Sequence, residues 1–177
     1  CTRAGLAISV ADRLDSLAGL FCVGIKPRST ADPYGLRRDA IGLLTCLIHH
    51  DQPFSLRAGL QHAAAILPVK ADQAKIDEAC DYILRRLEIQ LKDEGFRPDV
   101  VSAAVEAGGD DPAEIRRTVV ALAGAVGASR WDATFNAYSR CKRIVRDVAP
   151  MPLTGGDDTE PVTAALLSAY EQVRAQR

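Results

Sequence analysis

Long apolar runs are missing from this chain of 177 residues. Asp, Arg or Lys interrupts every candidate, so no segment is long and apolar enough to span a bilayer as a helix. Aromatic residues are scarce at 5%, with a single tryptophan. Alanine and leucine carry most of the apolar mass instead, which favours helix over sheet. A surplus of either charge is missing too. The 22 basic and 23 acidic residues leave a net charge of -1, so a globally basic nucleic-acid binder is excluded and any such site must be a local patch. Sustained two-residue alternation is absent, which removes the usual mark of half-buried strands. The five cysteines (Cys1, Cys22, Cys46, Cys80 and Cys141) contain no C-x-x-C pair. Cys22, Cys46 and Cys80 fall in apolar helical stripes and read as core thiols of a reducing compartment, not as disulfides or metal ligands.

What is present is helical periodicity along nearly the whole chain. Val10, Ala11, Leu14, Leu17, Ala18, Phe21, Cys22 and Ile25 make a first apolar stripe, broken by the segment from Gly24 to Thr30. Asp32 reads as an N-cap with Pro33 at the first helical position, and Leu36, Ala40, Leu43, Leu44 and Leu47 form the next stripe. That helix ends near His49, and a shorter one runs from Ser55 to about Leu67. The strongest pattern spans about Asp72 to Glu94, where Ile76, Cys80, Ile83, Leu84, Leu87 and Leu91 share one face and Gly95 follows as a stop. Further helices are expected over Pro98–Ala107, from Pro112 to about Val126, from Arg130 to about Arg146, and from Pro161 onward. The fold class is therefore all-α, a helical bundle with a boundary near Pro68 to Asp72. A start at Cys1 inside helical sequence, and a last helix with no stop signal, suggest a piece of a longer polypeptide.

Elements of chemistry are few. His49-His50 closes a helix, where a partial positive charge suits the carbonyl end better than metal binding does. His62 stands alone among alanines. Ser29 lacks a nucleophile-elbow context, and Gly24-Ile25-Lys26 lacks the G-x-x-x-x-G-K-[ST] spacing of a phosphate loop. Lys26 to Thr30 reads as an ordered connection, with an RNA-backbone or subunit contact as the alternative.

Two stretches carry a resemblance. The first is ADRLDSLAGLFCVGIKPRSTADPYGLRR, from Ala11 to Arg38. It joins an A-D-R-L-D helix to a G-x-K-P-x-S-T-x-D-P-[FY]-x-L-R-R turn and second helix. The composite resembles the β subunit of bacterial- and plastid-type glycyl-tRNA synthetases. Its A-D-R-L segment is similar to the last motif of HD-type metal phosphohydrolases, with Asp12 as the late aspartate of a divalent site. The upstream histidines that such a site requires are missing, so catalytic and metal-binding residues are both expected to be none. The second stretch begins at Tyr82-Ile-Leu-Arg-Arg-Leu-Glu and continues from Glu94 to Ala107. It is similar to the opening of the helical anticodon-binding module (DALR-like) shared by arginyl-type synthetases and the glycyl β subunit. Glu106 departs from it, standing where leucine is frequent. The run from Asn136 to Val145 resembles a later helix of that module, in a form close to the plastid branch.

The helical wheel of residues 130–146 gives that last run a separate argument. Trp131, Tyr138, Cys141 and Val145 cluster on one side, while Asn136, Arg140 and Arg143, at i, i+4 and i+7, line another with Arg146 nearby. A row of guanidiniums with an amide can grip phosphates and stack on unpaired bases. The plain alternative is a solvated face whose terminal cations oppose the helix dipole. Candidate RNA-binding residues are thus Asn136, Arg140, Lys142, Arg143, Arg146, Arg85 and Arg86. Arg85 should point outward, with Arg86 at the edge of the apolar stripe, laid over the core. Arg116-Arg117 is a weaker pair of the same kind, and Arg37-Arg38 suits either RNA or an ion pair with Asp12 or Asp15.

The resemblance implies an HD-like helical part over residues 1–70 and an anticodon-binding helical part over 71–177. It implies a non-catalytic chain that binds glycine tRNA for a synthetase. ATP and Mg would be used by a catalytic α part, with which the β part forms a dimer of α–β units. Chloroplast, with mitochondrion as a second organelle, is the implied location; bacterial cytoplasm is the alternative. Two other readings remain: a non-enzymatic helical protein-interaction scaffold, and a phosphohydrolase remnant.

Overall fold

A computed structural model of the protein describes residues 2–27, 32–68, 72–147 and 161–175. The described residues form eight α-helices and no strand, so the fold is all-α. The helices are α1 (Arg3–Cys22), α2 (Leu36–His49), α3 (Leu56–Ile66), α4 (Gln73–Asp93), α5 (Pro98–Ala107), α6 (Pro112–Val126), α7 (Trp131–Ile144) and α8 (Pro161–Arg174). The chain divides into two compact units, Cys1–Trp131 and Asp132–Arg177. The expected boundary near Pro68 to Asp72 falls between α3 and α4, two helices that pack on each other within the first unit.

Short polar side chains set the helix starts. Thr2, Ser55, Asp72 and Asp111 stand at N-caps in extended backbone and accept N–H groups of the first turn, Asp111 from both Ala113 and Glu114. The second helix corrects the expectation for Asp32 and Pro33. Pro33 and Tyr34 form a turn, and the N-cap is Gly35 in the left-handed region at φ 72. The Asp32 carboxylate still caps the helix from outside it, accepting the N–H groups of Leu36 at 2.9 Å and Arg37 at 2.8 Å. Capping chemistry was legible in the sequence, but the extra turn moves the helix start three residues on.

One continuous apolar core runs through the first unit. Leu17, Leu43, Leu47, Leu60, Ile83 and Leu87 are fully enclosed, and Val101 and Ile115 extend the same cluster into α5 and α6. Each such side chain contributes about 1.5–3 kcal/mol of burial. No charged or polar side chain is buried among the described residues. Cys80 is buried as its stripe requires, while Cys22 and Cys46 are half-buried and Cys141 is exposed; all four thiols are free. Cys1 lies outside the described residues. Burial pushes the Cys80 thiol up to about 11, so it remains neutral and unreactive at ordinary pH.

Asp110 and Asp111 tie the connection before α6 to the start of α3. The Asp110 carboxylate accepts the Ser55 hydroxyl at 2.7 Å and the Arg57 N–H at 2.8 Å, and its backbone carbonyl accepts the Leu56 N–H. Asp111 accepts the Phe54 N–H at 3.3 Å while capping α6. The connection before α6 therefore clamps the start of α3.

Candidate nucleic-acid interface

Several cations of the first unit are already matched with carboxylates. Arg57 pairs with Asp77, Arg97 with Asp99, Arg116 with Glu94, and Arg117 with both Glu114 and Asp51. Arg116 also lies over the Phe96 ring, 4.8 Å from its centroid. The weaker sequence candidates Arg116 and Arg117 are thus engaged in holding helices together. Lys26 donates to Glu78, which also receives Lys75, and these partners hold the Glu78 carboxyl below its ordinary value. The Lys26–Glu78 pair fastens the segment after α1 to the side of α4. Asp12 and Asp15, by contrast, have no ion-pair partner among the described residues, so the expected pairing with Arg37-Arg38 is not formed there.

On α4 the two candidate arginines separate. Arg85 is exposed and lines a cleft of about 600 Å³ with Lys26, Tyr82 and the carboxylates of Asp77, Glu78 and Asp81. Three acids in that lining make it a poor seat for a phosphate. Arg86 is half-buried, with its guanidinium 5.3 Å from the Tyr82 ring centroid, and Tyr82 in turn packs against Phe21 at 5.5 Å. That placement matches the expected snorkelling: the side chain spreads over the core edge and faces a groove with Ile41 and Gln90.

The second unit contains the other candidates. Asn136, Arg140, Lys142 and Arg143 are exposed on α7, and Arg146 is exposed in the turn that follows it. Asp132 in the first turn and Lys142 with Arg143 in the last turn both oppose the helix dipole favourably. Among the described residues, Arg140, Lys142, Arg143 and Arg146 have no carboxylate partner, in contrast to Arg57, Arg97, Arg116 and Arg117 of the first unit. Lys142, Arg143 and Arg146 converge with Ser139 around a depression of about 520 Å³. Asn136 and Arg140 continue the row at one helical turn's spacing. Sequence reasoning missed Ser139, whose signal was its i, i+4 and i+7 relation to Arg143 and Arg146. The Lys142 ammonium also stands 6.0 Å from the Tyr138 ring centroid.

Much of the apolar side of α7 is accessible to solvent, with Trp131 half-buried. Phe135, Tyr138, Ile144 and Val145 are each more than half exposed, and no residue of the helix is buried. Aromatic and cationic groups therefore lie side by side on one open helix, a combination suited to stacking and charge contact with single-stranded nucleic acid. His49 and His50 end α2 with their rings edge to face at 5.1 Å, and His62 is exposed on α3. No group of three or more metal-ligating side chains occurs among the described residues, nor is any described helix long and apolar enough to cross a membrane.

Comparison with known proteins points the same way as the two motif stretches. A family profile described as "Glycyl-tRNA synthetase beta subunit" matches residues 1–106. The chain is 37% identical over 145 residues to "Glycine--tRNA ligase, chloroplastic/mitochondrial 2" of Arabidopsis thaliana, covering 82% of this chain and 14% of that protein. It is 32% identical over 173 residues to "Glycine--tRNA ligase beta subunit" of Geobacter sulfurreducens, covering 97% of this chain and 25% of that subunit. The Dichelobacter nodosus β subunit is 35% identical over 145 residues, covering 81% and 20%. The chain spans about a quarter or less of the length of these curated relatives.

Proposed function

Because the chain belongs to the glycyl-tRNA synthetase β-subunit family, we propose that it is a tRNA-binding part of a glycine–tRNA ligase. In this reading α7 grips the anticodon arm of glycine tRNA. Residues 1–70 form an HD-like helical part without catalysis, and residues from 71 onward form the anticodon-binding part. The α part carries out the ATP- and Mg-dependent glycylation, in an assembly of two α–β units. The β chain contributes binding energy, which orients the acceptor end for a reaction elsewhere.

The observation that carries this reading is the unmatched cation row of α7. Arg140, Lys142, Arg143 and Arg146 are exposed and lack carboxylate partners among the described residues, while Tyr138 offers an open ring beside them. Phosphates supply the missing counter-charge, and an unpaired base supplies a stacking partner. Arg85 is a secondary contact because of the acids around it, and Arg86 acts chiefly through Tyr82. Similarity to the plant organellar enzyme supports a chloroplast or mitochondrial location, and similarity to the bacterial subunits supports bacterial cytoplasm.

Titrating fluorescent glycine tRNA with the chain at low salt tests the reading. Binding should weaken as salt rises and fall about ten-fold or more when Arg140 and Arg143 are both replaced by alanine. An unchanged affinity of the double variant would refute the site. A second reading, a protein-interaction scaffold, draws on the exposed apolar side of α7. It expects no shift with tRNA at any salt.

A further inference from the structure

A depression of about 480 Å³ lies between α1 and α3, and its chemistry is opposite to that of the α7 surface. Ala7 and Ala11 of α1 face Gly59 and Ala63 of α3 across it, Leu14 and Phe54 add to the apolar lining, and Asp15 and His62 are its polar members. Ala7, Ala11 and Ala63 keep the walls low, while the space over Gly59 is taken by the Phe54 ring, and a trough between two helices is the natural seat of a third at about 8–10 Å. Ile66 at one rim is 72% exposed, and Ile8, on the adjoining flank of α1, is 70% exposed. Large aliphatic side chains this open, next to an apolar trough, mark a surface that is covered in use.

The flank also states the charge of its partner. Ile8, Asp12 and Asp15 follow one another at i, i+4 and i+7 on α1, and both carboxylates lack an ion-pair partner among the described residues. An acidic, apolar rim repels RNA phosphate. A helix with an apolar face and a flanking cation fits. The relatives supply its source: the matched stretch covers 25% of the Geobacter subunit, so three quarters of that polypeptide lies outside it.

We propose that the α1–α3 trough seats an amphipathic helix from the part of the β-subunit polypeptide outside the stretch this chain matches. That helix lays apolar side chains on Leu14, Phe54 and Ile66 and sets a Lys or Arg against Asp12 and Asp15. The proposal rests on family membership and not on the tRNA-binding reading, and its test contains no RNA.

Ile8→Cys and Ile66→Cys are introduced singly, both into the 177-residue chain and into the complete β-subunit polypeptide carrying this sequence. Maleimide labelling of each site is followed by peptide mass spectrometry and normalised to the urea-unfolded chain. Both positions are open in the structure, so the variants should fold, which circular dichroism checks. Labelling should be rapid in the 177-residue chain and about ten-fold or more slower in the complete polypeptide. Asp12→Lys with Asp15→Lys should restore much of the rate in the complete polypeptide. Equal labelling in both contexts overturns the proposal. So does protection in the 177-residue chain that grows with its own concentration, which would identify a second copy as the occupant. No effect of charge reversal removes the proposed cation.

Discussion

The carboxylate of Asp110 accepts the backbone N–H of Arg57 at 2.8 Å, from 53 positions along the chain. It accepts the Ser55 hydroxyl as well, so α3 begins under two caps: its own serine on Ala58 and a distant aspartate on Arg57. Asp110→Ala should cost about 1–2 kcal/mol, because it strips the charged acceptor from an α3 N–H. Asp110→Asn should recover part of that. Urea unfolding at neutral pH measures both, and a wild-type midpoint for the alanine variant would refute the double cap.

Salt dependence separates phosphate gripping from stacking on α7. Arg140→Ala with Arg143→Ala should flatten the plot of log affinity against log salt by about 1.4–1.8 in slope, two contacts' worth. Tyr138→Ala should lower affinity with little change of slope, since stacking releases no counterion. Identical slopes for wild type and the double arginine variant would mean that neither guanidinium meets a phosphate.

Glu78 sets an acid-side prediction. Its carboxyl is held below the ordinary value of 4.5, first by the Lys26 hydrogen bond and then by Lys75, against an opposing desolvation. A depressed folded value means that the unfolded chain binds the proton more readily. The contribution is therefore present above pH 4.5 and fades as pH falls through the lower folded value. Glu78→Gln should melt closer to wild type at acid pH than at pH 7. The comparison is thermal melting across that range, and a constant gap would contradict it.

Thiol labelling should be ordered by burial. Cys141 is exposed and should react with a maleimide at once, whereas Cys80 is buried with its thiol raised to about 11. Cys80 should label only at the rate of global opening and accelerate with added urea. Rapid native labelling of Cys80 would mean that α4 opens locally.

Arg86 should prove a stability residue. Replacing it with alanine removes both the contact over Tyr82 and the aliphatic cover, for about 1 kcal/mol. Arg86→Lys should recover some of the loss. The readout is urea unfolding in the absence of RNA, and an unchanged midpoint would return Arg86 to the list of free cations.

Local signals carried well from sequence to structure. The α4 stripe Ile76, Cys80, Ile83, Leu87 and Leu91 is buried at the predicted spacing, although Leu84 at its margin is only half-buried. Asp111 caps α6 with Pro112 at its first position. What periodicity could not convey is long-range. Nothing near Ser55 announces that Asp110 will complete its cap, and nothing in Asp32-Pro33 announces an added turn before Leu36. The cation row of α7 was legible as a helical face. The pairing state of those cations was not, because it depends on which carboxylates the tertiary fold delivers to each arginine.

Gly35, at φ 72, starts α2 from a mirror-image backbone, and a side-chain carbon added there would stand 2.6 Å from the Arg38 guanidinium. The Arg38 side chain can swing away, so the dihedral itself is what disfavours an L side chain at the start of α2. In a synthetic chain, D-alanine is the substituent that tolerates this dihedral without strain, while the L-enantiomer costs about 1–2 kcal/mol from the backbone alone. Chirality at a single carbon would then report, by melting temperature, how firmly α2 is aimed.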